Sequence, residues 1–229
     1  MFFENLIRSI PPHARVLDVG PGGTPHPRAN VLLERNFDAP EAAAQRGHVP
    51  MAPSDKEIVY FDGGRFPFAD GAFDYVICSH VLEHVEDVPA FVGELTRVAP
   101  RGYLEFPTIL YEYLYNFRVH RNFLLHTGGE IRWMRKTATP LDAFLPVQDF
   151  MRDSLCAGYD ETVTSLKEQF FQGFEWTAPL ATREVTTLGE FAPVGEGFVF
   201  PVNPLKAPPM SGRELLKELL RRVRHRLFA

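Results

Sequence analysis

Only two cysteines, Cys78 and Cys156, occur in 229 residues. They cannot build a disulfide framework or a cysteine-rich zinc site, and a reducing compartment suits them best. Long apolar runs are missing as well. None approaches the ~20 residues needed to cross a bilayer. Met1-Phe2-Phe3-Glu4-Asn5 carries an acid where a secretory leader needs positive charge, so a soluble cytoplasmic protein is expected. Positive charge is not in excess: 24 Lys and Arg stand against 29 Asp and Glu, a net charge of −5. Wrapping a phosphate backbone needs the opposite balance, so a nucleic-acid partner is disfavoured. No repeat at solenoid periods occurs. Hydrophobic residues at 45% and charged residues at 23% exclude wholesale disorder.

What the chain has in plenty is proline and phenylalanine, 20 of each. They predict many short elements and aromatic-lined clefts. In the first half, apolar runs alternate with turns. Arg15-Val16-Leu17-Asp18-Val19 enters the tight turn Gly20-Pro21-Gly22-Gly23. Asn30-Val31-Leu32-Leu33-Glu34 and Glu57-Ile58-Val59-Tyr60-Phe61-Asp62 each end in an acid. Phe73 to Ser79 is a fourth run and Gly102 to Phe106 a fifth. Between the last two, Val88, Phe91, Val92, Leu95 and Val98 recur at helical spacing. Short strands joined by crossovers predict an α/β, doubly wound, mostly parallel sheet with ligands at the strands' C-terminal ends.

The second half predicts a hairpin around Thr127-Gly128-Gly129, helices over 141–155 and 161–171, and late strands near Phe174-Glu175-Trp176 and Gly197-Phe198-Val199-Phe200. Residues 1–200 read as one domain with an acceptor-binding insertion at about 107–172. Residues 201–212, with Pro201, Pro204, Pro208 and Pro209, read as a linker. Residues 213–229 form a basic helix with Leu216, Leu219, Leu220, Val223 and Leu227 on one stripe. That segment carries +4 and leaves −9 on the body. A basic amphipathic helix fits either an anionic membrane surface at the inner face or docking on the body.

Three acidic strand ends in order suggest ligand chemistry. Glycines at 20 and 22 let backbone approach a ligand. Glu34 can accept from ribose hydroxyls, and Asp62 with the Gly63 N–H can read an adenine edge. Downstream, Pro67-Phe68-Ala69-Asp70-Gly71-Ala72-Phe73-Asp74 leads into Ser79-His80-Val81-Leu82-Glu83-His84-Val85, then Arg97-Val98-Ala99-Pro100-Arg101-Gly102. In order and spacing, residues 14–108 resemble the class I S-adenosylmethionine-dependent methyltransferases of the small-substrate type. The resemblance implies a Rossmann-like sheet of seven strands, the last antiparallel, and S-adenosylmethionine as cofactor. It implies that Asp18, Gly20 and Gly22 line the methionine end, that Glu34 holds the ribose and Asp62 and Gly63 the adenine, and that Ser79 and His80 flank the sulfonium. It also implies a small-molecule acceptor, saccharide-like where such proteins serve cell-surface glycan assembly.

One departure is plain. Only Thr24-Pro25-His26-Pro27-Arg28-Ala29 separates the glycine turn from the second strand. Six residues with two prolines cannot make a full helix, so the first crossover is degenerate. This leaves Asp38 as an alternative to Glu34, and Pro25 breaks the dinucleotide fingerprint.

His80-Val81-Leu82-Glu83-His84 also fits an inverted zinc-peptidase pattern. Its place directly after a strand argues against that, and no metal is expected. Glu83 would instead cap the next helix or pair with Arg97. The aromatic segment 107–121 reads as an acceptor wall, with Glu112 and His120 as candidate bases beside His80 and His84, and with Tyr111 and Arg121 as acceptor-binding groups. A cofactor-binding regulator without transfer activity is the second functional reading.

Overall fold

The computed structural model describes residues 1–36 and 55–191. The chain divides into Met1–Ala192 and Pro193–Ala229. The linker at 201–212, the basic helix at 213–229, the late strand at 197–200 and the alternative acid Asp38 all lie outside the described residues.

Five parallel strands form most of the main sheet. They are β1 (Val16–Val19), β2 (Val31–Arg35), β3 (Glu57–Phe61), β4 (Tyr75–Ser79) and β5 (Arg101–Pro107). Two antiparallel strands, β6 (Asn122–Thr127) and β7 (Glu130–Arg135), make the expected hairpin. Next, β8 (Phe171–Thr177) joins the edge of the main sheet antiparallel to β5, and β9 (Ala181–Glu184) pairs with β7. The main-sheet order is β3-β2-β1-β4-β5-β8. Among the described residues this sheet has six strands rather than seven. The antiparallel edge strand is present, but β6, β7 and β9 close a separate three-stranded sheet.

Alternation along the strands sorts two apolar layers. Leu17 and Val19 of β1 and Val76 and Cys78 of β4 face one cluster, which also takes Val88, Val92, Leu95 and Val98 of helix α1 (Val88–Val98). Val16, Tyr75, Ile77 and Tyr103 face the other side, where Leu6, Ile7 and Ile10 cover them. Both faces of β1 and β4 are buried, which is why these strands read as largely apolar runs, broken in β1 by the buried Asp18. Helix α1 starts where Asp87 accepts the Ala90 N–H at 2.9 Å, with Pro89 in its first turn. Glu83 neither caps this helix nor meets Arg97. Arg97 binds Glu94 and Asp70 and donates to the carbonyls of Phe66 and Phe68. The Pro67–Asp74 motif is thus a clamped turn that supports the sheet.

The first crossover is degenerate, as the prolines predict. Residues 20–30 contain turns and no helix. Asn30 and Val16 exchange hydrogen bonds, and Lys56 and Arg28 donate to the carbonyls of Pro27, Ala29, Pro11 and Pro12. After β5 come α2 (Ile109–Tyr115), α3 (Leu145–Cys156), α4 (Glu161–Ser165) and α5 (Lys167–Phe170). The expected helix over 161–171 is therefore two short pieces, and the helix expected from 141 begins as a 3-10 turn, Leu141–Phe144. Cys78 is buried in β4 and Cys156 is exposed; both are free thiols. Among the described residues no helix is long and apolar enough to cross a membrane.

Candidate functional site

Strand order reverses between β1 and β4, the point at which open α/β sheets bind ligands outside the strands' C-terminal ends. The loops after these two strands meet there. A Cβ on Gly20, whose φ is +66°, would lie 2.6 Å from Val81 Cγ2. Gly20 is therefore required by packing between two loops of the protein. Among the described residues, Gly22, at φ +54°, has nothing within 4 Å of the same position. Its N–H donates to Glu34 Oε1 at 2.8 Å, which brings the end of β2 against the turn. Asp62 follows β3 and accepts from Asn36 Nδ2 at 2.8 Å, with Gly63 exposed beside it. Asp18 is buried and accepts the His26 N–H at 2.8 Å, which ties down the degenerate crossover. Burial raises its pKa from 3.8 to about 7.

The end of β4 is organised by Glu105, a fully buried carboxylate in β5. It accepts from Phe2 N, Phe3 N, Ser79 Oγ, His80 Nε2 and Tyr103 Oη at 2.6–3.1 Å. Burial alone would raise its pKa, but the bonds from His80 and Tyr103 outweigh it and hold the group at about 2. His80 has a left-handed backbone, φ +57°, so the chain leaves β4 in a sharp bend and not in a helix. Residues 81–84 form turns, and helix α1 begins only at Val88. The helical His80/His84 pair required by the peptidase pattern is absent. His80 sits between Glu105 (2.9 Å) and Glu83 (3.4 Å). Burial lowers its pKa, but these two carboxylates more than offset that and lift it to about 9. At neutral pH it is a cation and takes up no further proton. Phe2 and Phe171 pack edge-on against its ring.

A second network joins the expected acceptor wall to the loop after β4. Glu112 of α2 is fully buried. Its Oε1 meets His120 Nδ1 at 2.5 Å, and its Oε2 accepts from Lys136 Nζ at 2.7 Å. Lys136 also donates to the Phe117 carbonyl. Glu112 is thus a positioning group for His120 and has both oxygens engaged. The His84 and His120 rings meet edge to face, 4.6 Å between centroids. His84 Nδ1 lies 3.2 Å from the Val119 carbonyl, and burial lowers the ring's pKa to about 4. Tyr111 packs among Tyr115, Phe117, Phe170 and Phe171, and Arg121 pairs with the exposed Glu86.

The candidate residues therefore form two groups on one edge. Asp18, Gly20, Gly22, Glu34, Asp62 and Gly63 lie in or just after β1, β2 and β3, with Asp18 and Glu34 buried. Ser79 and His80 are bound to Glu105 at the end of β4, while Glu112, His120 and His84 form a second cluster in and around the expected acceptor segment. Glu105 and Lys136 are the residues that the sequence reading misses. A charged residue inside Tyr103-Leu104-Glu105-Phe106 is the signal for the first, because a buried carboxylate needs partners. Lys136 gives no such signal, since its partner is 24 residues away. The open position at Gly22 and the carboxylates of Glu34 and Asp62 at the ends of β2 and β3 suit a cationic ligand with a ribose, and so fit the S-adenosylmethionine that the resemblance implies.

Comparison with known proteins agrees. Residues 17–106 match the family model described as "Methyltransferase domain". Two proteins of Rauvolfia serpentina are similar over part of the chain. Ajmaline N-methyltransferase is 45% identical over 47 residues, 19% of this chain and 16% of that protein. Norajmaline N-methyltransferase is 33% identical over 87 residues, 37% of this chain and 27% of that protein. The chain thus matches about a quarter or less of the length of these relatives. Among solved structures, an S-adenosylmethionine-dependent methyltransferase from Mesorhizobium loti aligns over 75% of this chain and 93% of its own, at 15% identity and a TM-score of 0.41. By its matched family model, its strand order and its motifs, the segment 17–106 is similar to the class I S-adenosylmethionine-dependent methyltransferase domains.

Proposed function

We propose that this chain transfers the methyl group of S-adenosylmethionine to a small-molecule acceptor. One observation carries the reading. The glycine turn and the acids Glu34 and Asp62 stand in order at the C-terminal ends of β1, β2 and β3, within the segment that matches a methyltransferase domain. When bound, S-adenosylmethionine supplies an electrophilic methyl group on a positively charged sulfur. The chain's own groups do the rest. Glu34 would hold the ribose hydroxyls, Asp62 with the Gly63 N–H the adenine edge, and the Gly20–Gly22 turn the methionine end. Glu105 fixes Ser79 and His80 where β4 ends.

Transfer requires the acceptor to be held in line with the breaking bond. Helix α2 and the loop over 116–121 provide the wall, with His84 and His120 as its imidazoles. Glu112 orients His120, and Lys136 fixes Glu112. The names of the two plant relatives favour a nitrogen acceptor, and the glycan association of similar-looking proteins favours a saccharide hydroxyl. Incubation with methyl-labelled S-adenosylmethionine and a panel of small amines and saccharides tests both. Label should pass to at least one class and be lost in the Glu34→Ala, Asp62→Ala double variant. Donor binding with no transfer across the panel would favour the regulator reading.

A further inference from the structure

Glu83 is the one carboxylate in the described site that takes no hydrogen bond. Its side chain is fully buried, and among the described residues neither oxygen has a hydrogen-bond partner. A buried carboxylate without hydrogen bonds is costly, and the charge on His80 that faces it is shared with Glu105. His80 Nδ1 stands 3.4 Å away and His84 Nε2 4.0 Å away, both within ion-pair reach but outside hydrogen-bond geometry. A carboxylate oxygen of Glu83 and a ring nitrogen from each of His84 and His120 all lie within 4.8 Å of one another.

The two histidines are arranged alike. His120 directs Nδ1 to Glu112, and His84 directs Nδ1 to the Val119 carbonyl. A ring whose Nδ1–H is held by an oxygen keeps the tautomer with a bare Nε2, the form in which histidine binds metals. The loops that carry these residues are locked together. Arg121 N and Asn122 N both donate to the Glu83 carbonyl, and Asn122 Nδ2 donates to the carbonyls of Leu82 and Val85. Lys136 in turn holds the carboxylate behind His120.

We propose that Glu83, His84 and His120 form a binding site for a divalent transition-metal cation of the zinc type. Two imidazoles and one carboxylate are a donor set for borderline cations, and three protein ligands leave a position open. Filling the site draws the donors together to about 3.4 Å, as bonds of roughly 2.1 Å at tetrahedral angles require. The set differs from the sequence-level pattern, because His120 replaces His80 and Glu83 is a ligand. The open position would face an acceptor atom only if the methyl-transfer reading holds; metal binding itself does not depend on that reading.

The test uses the full chain freed of metal with a chelator and then titrated with Zn²⁺ and with Co²⁺. Binding is followed by calorimetry, by metal content after dialysis and by the visible spectrum of the cobalt form. One ion per chain is expected, with a cobalt spectrum of low coordination number. His84→Gln and His120→Gln should each abolish stoichiometric retention, and the exposed His13→Gln should retain it. Glu112→Gln should weaken binding roughly tenfold to a hundredfold, as loss of a supporting carboxylate does. Circular dichroism identifies any variant that fails to fold, and retained S-adenosylmethionine binding separates failure of this proposal from failure of the methyl-transfer reading. No stoichiometric metal in the wild-type chain, or equal retention by a folded His84→Gln, His120→Gln double variant, overturns it.

Discussion

Replacing Asp18 by asparagine should change how stability depends on pH. Asp18 is 3% exposed, and its one recorded hydrogen bond comes from the His26 N–H. Burial is the largest influence on its carboxyl, with the nearby Glu34 adding to it, and the pKa rises from 3.8 to about 7. The folded chain therefore binds this proton more tightly than the unfolded chain. Between those two values the folded state keeps the proton and the unfolded state has lost it, so stability falls as pH rises through the window. Above the folded value both states are ionised and the loss is constant. Below the unfolded value both are protonated and there is none. A shift of three units corresponds to about 4 kcal/mol. Asparagine keeps an oxygen for the His26 N–H and removes the charge, although its buried amide costs about 1–2 kcal/mol if unpaired. Urea unfolding of both proteins from about pH 4 to about pH 8 reads the difference, since groups that do not interact with Asp18 cancel. The stability of Asp18→Asn relative to wild type should increase by about 4 kcal/mol across that range. Parallel profiles would refute the reasoning and show Asp18 to be ionised and compensated throughout.

Two further predictions concern the scaffold. Arg97→Met removes the guanidinium that joins Glu94, Asp70 and the 66–68 carbonyls, and should cost about 2–3 kcal/mol in denaturant unfolding, as lost charged hydrogen bonds do. In Gly102→Ala the new Cβ would lie 2.3 Å from the Val76 carbonyl oxygen, so β4 and β5 must part. A loss of about 1–3 kcal/mol or more should appear as a lower thermal midpoint.

The parallel strands were legible because both faces of β1 and β4 are buried and their sequences are mostly apolar, Asp18 being the charged exception. The degenerate crossover was legible because proline forbids helix within six residues. The path after β4 was not. His80-Val81-Leu82-Glu83-His84-Val85 has helical spacing, but the left-handed backbone at His80 and the capture of the Glu83 carbonyl by Arg121 and Asn122 hold it as turns. Those partners lie almost forty residues downstream, beyond the reach of local pattern. The same holds for the glycine turn after β1. Spacing identifies the turn, but only the structure separates Gly20, which Val81 crowds, from Gly22, which stands open. The pairing of Glu112 with Lys136 was not legible either.

The central claim is that the chain holds S-adenosylmethionine at the C-terminal ends of β1 and β4 through Glu34 and Asp62. Calorimetry with S-adenosylmethionine and its demethylated product, on the wild-type chain and on Glu34→Ala and Asp62→Ala, tests it most directly. The account predicts one site per chain for both ligands, weakened by about 1–3 kcal/mol in each variant. No binding of either ligand by the wild-type chain at micromolar levels, or unchanged affinity in both folded variants, would contradict it.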